Sequence, residues 1–327
     1  MLVNRARLAV IAAMATLCAA PVMADPFYLA STSIDNTHYE GSTPVAAVAS
    51  GGDLSSGVVL FGSAFASHGA LGATSASTWN FSTPGTLLCT GFFCGYSVSS
   101  QAQLSLNDLI ISAPADSDLI SVQTNLHLSV AGQVTASASA SGGFEYGSEG
   151  TAGILLDGLI TNNDDFAFGF GGGMSIVQWN GNYVQGTSCF GSSGVFGDYP
   201  GCDDPHFRPL ISGIVATGAF DIPLGVPLTL NMTLSADAGA AGHINGGGTF
   251  ASSGRADFYD TVTFATSGPV FDLPEGFDAN SVDGAIVHNR FVGSEPAATP
   301  VPEPASLTLL ASGLAAAAAR QRRRKKN

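Results

Sequence analysis

Charged side chains make up only 11% of the 327 residues, and lysine is absent before Lys325. Ordinary globular chains carry about 25% charge. Between residues 25 and 304 three cations, Arg208, Arg255 and Arg290, stand against all 25 acids, a net charge of −22 within a whole-chain value of −14. Phosphate backbones are held by Lys and Arg, so a body of this charge excludes nucleic-acid binding. Long amphipathic helices are missing as well, since no stretch repeats its apolar residues at a 3.6 period over a convincing length. The 41 glycines follow no Gly-X-Y period, which excludes a collagen-like chain. Catalytic signatures are equally scarce. There is no Gly-x-Ser-x-Gly elbow, no His-Glu-x-x-His and no phosphate-binding loop, and Gly169–Gly173 does not complete a dinucleotide fingerprint. The six histidines, at 38, 68, 127, 206, 243 and 288, are dispersed. These absences point to a protein that is not an enzyme and has no resident cofactor.

What is present is a β pattern. The chain is 45% hydrophobic, too apolar for a disordered polyelectrolyte and long enough to bury a core. Its apolar residues alternate with polar ones in Leu104–Ile111, Ile120–Val130, Leu228–Leu234 and Phe258–Phe264. Further strands are expected at Val58–Phe65, Gly153–Leu159, Phe166–Phe170, Ser175–Trp179 and Ile211–Phe220, separated by Gly, Asn, Asp, Pro and Ser as turns require. The small-residue run Thr135–Ser141 fits a strand or a loop equally well. Many strands on short turns, with no fixed repeat, predict an all-β body of β-sandwich or jelly-roll type.

Five cysteines occur, and Cys18 lies in the N-terminal apolar segment. The other four, Cys89, Cys94, Cys189 and Cys202, are an even set in an exported chain, which implies two disulfides. Proximity favours Cys89–Cys94 and Cys189–Cys202. Acids gather in turn-like stretches, Asp116–Asp118, Asn162–Asp165, Asp203–Asp204 and Asp278–Asp283. Calcium takes several such oxygens, and turn chemistry explains them equally well. Residues 178–207 combine aromatics, amides and acids. Within them Trp179, Tyr183, Asp203 and Asp204 are the candidate ligand-binding residues, with Trp79 a further candidate for stacking on a sugar ring.

Both ends of the chain read as addresses. Arg5 and Arg7, the apolar run Leu8–Ala20 and the small residues up to Ala24 form a secretory signal peptide over residues 1–24. The ectodomain is expected at 25–294 and a Pro/Ala/Thr linker at 295–300. Val301-Pro302-Glu303-Pro304 follows, then an apolar stretch over 305–319, then Arg320, Arg322, Arg323, Arg324, Lys325 and Lys326. Fifteen residues of helix span about 22 Å, short of a hydrocarbon core of about 30 Å. Such a span suits a temporary anchor with a basic stop on the cytoplasmic side.

The order Pro-Glu-Pro, short apolar helix and basic cluster in residues 301–327 resembles the PEP-CTERM protein-sorting signal. The same motif has been labelled an ice-binding-protein C-terminal domain, a label that says nothing of activity. The resemblance implies export, a transient inner-membrane anchor, and recognition of Val301–Pro304 by exosortase, a membrane-embedded cysteine transpeptidase. It implies delivery to the cell surface or to an exopolysaccharide matrix. Asp257–Phe264, Gly268–Gly276 and Ile286–Phe291 are similar to the closing strands of many PEP-CTERM ectodomains. The expectation is therefore a non-catalytic structural or adhesive protein of the biofilm matrix. The alternatives are a carbohydrate-binding module, with or without calcium, and a secreted glycan-processing enzyme.

Overall fold

The computed structural model describes residues 27–34, 37–41, 45–52, 57–67, 69–82, 94–141, 145–162, 166–179, 188–192, 210–245, 248–281 and 284–292. Among them all regular structure is strand: β1 (Phe27–Thr32), β2 (Thr37–Gly41), β3 (Val45–Gly51), β4 (Val58–Ser67), β5 (Ala70–Ser82), β6 (Cys94–Ser112), β7 (Ser121–Thr124), β8 (His127–Ser141), β9 (Glu145–Thr161), β10 (Ala167–Trp179), β11 (Ser188–Ser192), β12 (Leu210–Ala216), β13 (Phe220–Pro223), β14 (Leu228–Asn245), β15 (Thr249–Phe264), β16 (Asp278–Ser281), β17 (Ile286–Val287) and β18 (Arg290–Phe291). The protein is all-β, as its alternation predicts.

Two antiparallel sheets face each other. One runs β11-β10-β9-β14-β6-β1-β2, with β16 also on β6, and the other runs β12-β8-β15-β5-β4-β3. Each strand sends alternate residues into the space between the sheets, because successive side chains on a strand point to opposite faces. β14 shows how that space is shaped. Its buried positions are Leu228, Leu230, Met232, Leu234, Ala236, Ala238, Ala240 and Gly242, a size gradient along one strand.

At the large-residue end these side chains join Leu104, Leu106, Leu109, Phe258, Phe264 and Phe271 in the main core. Each fully buried Leu or Phe contributes about 1.5–3 kcal/mol. In the middle the sheets approach until backbone meets backbone. A Cβ on Gly254 of β15 would lie 1.7 Å from the Thr151 carbonyl oxygen of β9, and one on Gly150 would lie 2.2 Å from the Ser253 carbonyl oxygen. Buried serines stitch this waist. Ser100 Oγ donates to the Thr74 carbonyl at 2.8 Å, and Ser75 Oγ to the Ala236 carbonyl at 2.8 Å. Beyond the waist lies a second cluster of Val58, Trp79, Phe81, Ala240 and Phe250. Trp79 stands edge-on to Tyr96 and Phe250, with centroids 5.1 and 4.7 Å away. The Phe250 ring occupies the place of a side chain at Gly242, whose Cβ would be 2.3 Å from it.

Several strand boundaries differ from the sequence expectation. Ile120–Val130 is two strands, β7 and β8, and Ile211–Phe220 is likewise divided into β12 and β13. The two breaks sit side by side, since β7 pairs β13 while β8 pairs β12. One backbone bond, from the Thr217 amide to the Leu126 carbonyl at 2.9 Å, is joined there by side-chain bonds. Asn125 Nδ2 donates to the Thr217 carbonyl at 2.8 Å, and the Leu126 amide donates to Thr217 Oγ1 at 3.0 Å. The paired strands therefore kink together, and β7–β13 folds over the end of the main core, burying Val122, Phe220 and Ile222. Ile120, expected on the apolar face, is 85% exposed as a result. Phe166–Phe170 and Ser175–Trp179 belong to one strand, β10, and Thr135–Ser141 is strand throughout.

The same end is closed by residues 265–292. Val287-His288-Asn289-Arg290 is a two-residue hairpin whose central residues have φ of 50° and 55°. Positive φ at both centres is what the type I′ turn demands, and Asn tolerates it best after Gly. Asn289 also bonds both backbone groups of Phe271, through its Oδ1 at 2.9 Å and its Nδ2 at 2.7 Å. Phe291 stacks edge-on against Phe264 at 5.7 Å, in the recess left by Gly69.

Candidate functional site

Above the waist, the outer face of the eight-stranded sheet is concave. Registers place two neighbouring rows across four strands: Ser99, Asp237, Gly153 and Ser175, then Ser97, Gly239, Thr151 and Val177. Strands lie about 4.8 Å apart, so each row is about 14 Å wide. Gly153 carries no side chain beside Asp237, while at Gly239 the Thr151 hydroxyl occupies the place a Cβ would take, and both glycines line a groove of about 440 Å³. Ser33 closes one end, its hydroxyl accepting from the Ser99 amide at 2.9 Å. A smaller hollow of about 260 Å³ adjoins it, lined by Glu149 and sharing Ser97, Thr151 and Gly239. The groove offers hydroxyls, peptide groups and two carboxylates to a ligand, in the open. That suits hydrogen bonding along an extended polymer.

The sequence-predicted residues fall as follows. Trp179 is the last residue of β10, and its backbone pairs with Glu149 in the row next to the groove. Tyr183, Asp203 and Asp204 lie outside the described residues, as do Cys89 and Cys202. Cys94 and Cys189 are described by backbone only, Cys94 opening β6 and Cys189 paired with Met174 on the edge strand β11. The signal peptide, Val301–Pro304, the apolar stretch over 305–319 and the basic cluster Arg320–Lys326 are also outside the description. Trp79, expected to present a sugar-stacking face, is instead 2% exposed. The small residues around Gly242 leave it room inside the sandwich. Sequence reasoning missed the groove because Ser97, Ser99, Thr151, Ser175 and Asp237 come from four separate strands. Its only linear signal is polar residues alternating with buried ones in each strand.

Among the described residues no three His, Cys, Asp or Glu side chains converge as a metal would require. No helix of the described residues is long and apolar enough to cross a membrane. His127 lies 3.0 Å from Asp272 at the capped end of the core. Asp278 is engaged locally: His288 Nδ1 stands 2.8 Å from its Oδ2, Asn280 Nδ2 donates to that oxygen at 3.0 Å, and the Ala279 amide donates to Oδ1 at 2.9 Å. Partial burial pushes its pKa up, but these hydrogen bonds and the His288 charge outweigh burial and hold it below the ordinary value.

No curated protein and no solved structure matches the chain. Residues 300–324 match the family model of the PEP-CTERM protein-sorting motif. The chain thus carries that motif at its C-terminus, which implies an exported protein that is sorted transiently at a membrane and processed by exosortase.

Proposed function

We propose that this exported chain is a non-catalytic structural or adhesive component of the cell surface or extracellular matrix, released from an inner-membrane anchor by exosortase and held among exopolysaccharide. The observation that carries the reading is the sorting motif at residues 300–324. The test is intact-mass analysis of the exported material. Loss of Arg320–Lys326 is the expected result, and a surface form that keeps them overturns the reading.

A second reading, a carbohydrate-binding module, is favoured by the hydroxyl-lined groove. Rows of Ser and Thr at strand spacing suit a polyhydroxylated chain, and Asp237 and Glu149 add acceptors. Retention on exopolysaccharide, measured with calcium and with chelator, tests it. Retention lost in chelator places calcium in the contact, while no retention in either condition removes the module reading.

A further inference from the structure

One margin of the six-stranded sheet combines an open edge with exposed apolar side chains. β3, β4 and β5 contain no charged residue, although the body holds 25 acids. β3 is the last strand of its sheet, paired on one side only, to β4. Among the described residues no backbone group bonds its other side. Its sequence, Val-Ala-Ala-Val-Ala-Ser-Gly, has none of the lysine, proline or charge that ordinarily blunts an edge strand. Beside it on the outer face stand Val48, Val59 and Phe61, 62%, 49% and 38% exposed. Ser50 lies opposite Phe61 and Val48 opposite Ser63, which makes these side chains one patch.

We propose that β3 pairs antiparallel with β3 of a second copy of this chain, joining the two six-stranded sheets edge to edge. Every pairing in both sheets is already antiparallel, and an antiparallel pair about a two-fold axis is self-complementary. With the axis at Val48, Val45 faces the partner's Gly51 and Ala46 faces the partner's Ser50. The two Val48 side chains meet on the axis, flanked by Val59 and Phe61 of both copies. The charge pattern is compatible with this pairing. Two bodies of net charge −22 repel wherever acids face acids, and β3, β4 and β5 bring no acid of their own to the contact, while the exposed Val48, Val59 and Phe61 distinguish this edge from the equally uncharged β12. Depletion of charge at the centre is also the compositional mark of protein interfaces.

The pairing has a salt signature. Repulsion between the acidic bodies is screened as the Debye length falls from about 30 Å at 0.01 M salt to about 10 Å at 0.1 M. Self-association therefore strengthens with salt, the reverse of binding to a basic partner. Sedimentation equilibrium of the exported protein across that range reads it directly. The dimer fraction should rise with salt. Val48→Glu and Val48→Lys should each be monomeric, because like charges then face each other across the axis. An equimolar mixture of the two should recover the dimer. Val48 is exposed, so both variants should unfold at the midpoint of the parent measured where it is monomeric, at low salt and low concentration. A monomer at every salt concentration overturns the proposal, as does a dimer that both variants leave intact. Failure of the mixture to recover the dimer overturns the Val48 axis.

Discussion

The waist of the sandwich sets a stability test on a single methyl group. Gly254→Ala would place a Cβ 1.7 Å from the Thr151 carbonyl oxygen and 2.9 Å from that of Gly239, where ordinary contact begins at 3.4 Å. Both obstacles are backbone, so no side chain can swing aside, and the sheets must part. Overpacking of this kind costs about 1–3 kcal/mol. Parting the sheets also stretches the bonds from Ser100 to Thr74 and from Ser75 to Ala236, both 2.8 Å. A buried polar group that loses its partner costs about 1–3 kcal/mol. The sum is about 2–6 kcal/mol against a total stability of about 5–15 kcal/mol. For a domain of this size the melting temperature should fall by roughly 10 °C. Gly169→Ala is the control, since its Cβ meets nothing nearer than 3.9 Å. It should stay within about 0.5 kcal/mol of the parent. Urea unfolding of both variants reads the difference. If Gly254→Ala unfolds at the same midpoint as Gly169→Ala, the close approach of the sheets is refuted.

Trp79→Ala should cost about 3–5 kcal/mol by leaving a hole between Tyr96 and Phe250, and should lower polysaccharide retention only as far as it unfolds the protein. Thermal melts run beside the retention assay separate the two effects. Asp278 is held below its ordinary pKa of 3.8, so its stabilising contribution is complete above that value and is lost as pH falls through the lowered folded-state value. Asp278→Asn should therefore flatten the acid limb of the stability curve below about pH 4, as read by denaturant midpoints across pH. Asp237→Arg reverses the charge in the middle of the groove and should change retention on exopolysaccharide severalfold without moving the melting temperature. Unchanged retention would move attention from this face to the segment that contains Tyr183, Asp203 and Asp204.

The alternation of Leu228–Leu234 and of Leu104–Ile111 was enough to read strands, because a period of two has one physical cause. Strand ends were less legible. Ile120–Val130 keeps its apolar alternation apart from Thr124, and its break at Asn125 and Leu126 depends on Thr217, about 90 residues away in sequence. The burial of Trp79 was hidden for a similar reason. An aromatic among Gly and Ser reads as a surface residue until β14 is seen to taper to Gly242 beneath Phe250. The groove was illegible because its lining comes from four strands, with the bare Gly153 among them, aligned only by register. The sorting motif was the opposite case, wholly linear and complete within 25 residues.

The closing hairpin has a mechanical meaning. The described fold ends at Val292, directly after β18, and the C-terminal segment continues from there. A body held by that segment takes every pull first at Val292, whose amide donates to the Ala285 carbonyl at 3.1 Å, and next at Phe291. The load peels β18 from β17 one bonded pair at a time, the weakest way to strain a strand pair. What resists is the ring wedged into the Gly69 recess against Phe264, backed by the Asn289 clasp on Phe271. Once the Val292 bond parts, the event that follows under tension is the withdrawal of one phenylalanine, with the two large sheets still folded behind it.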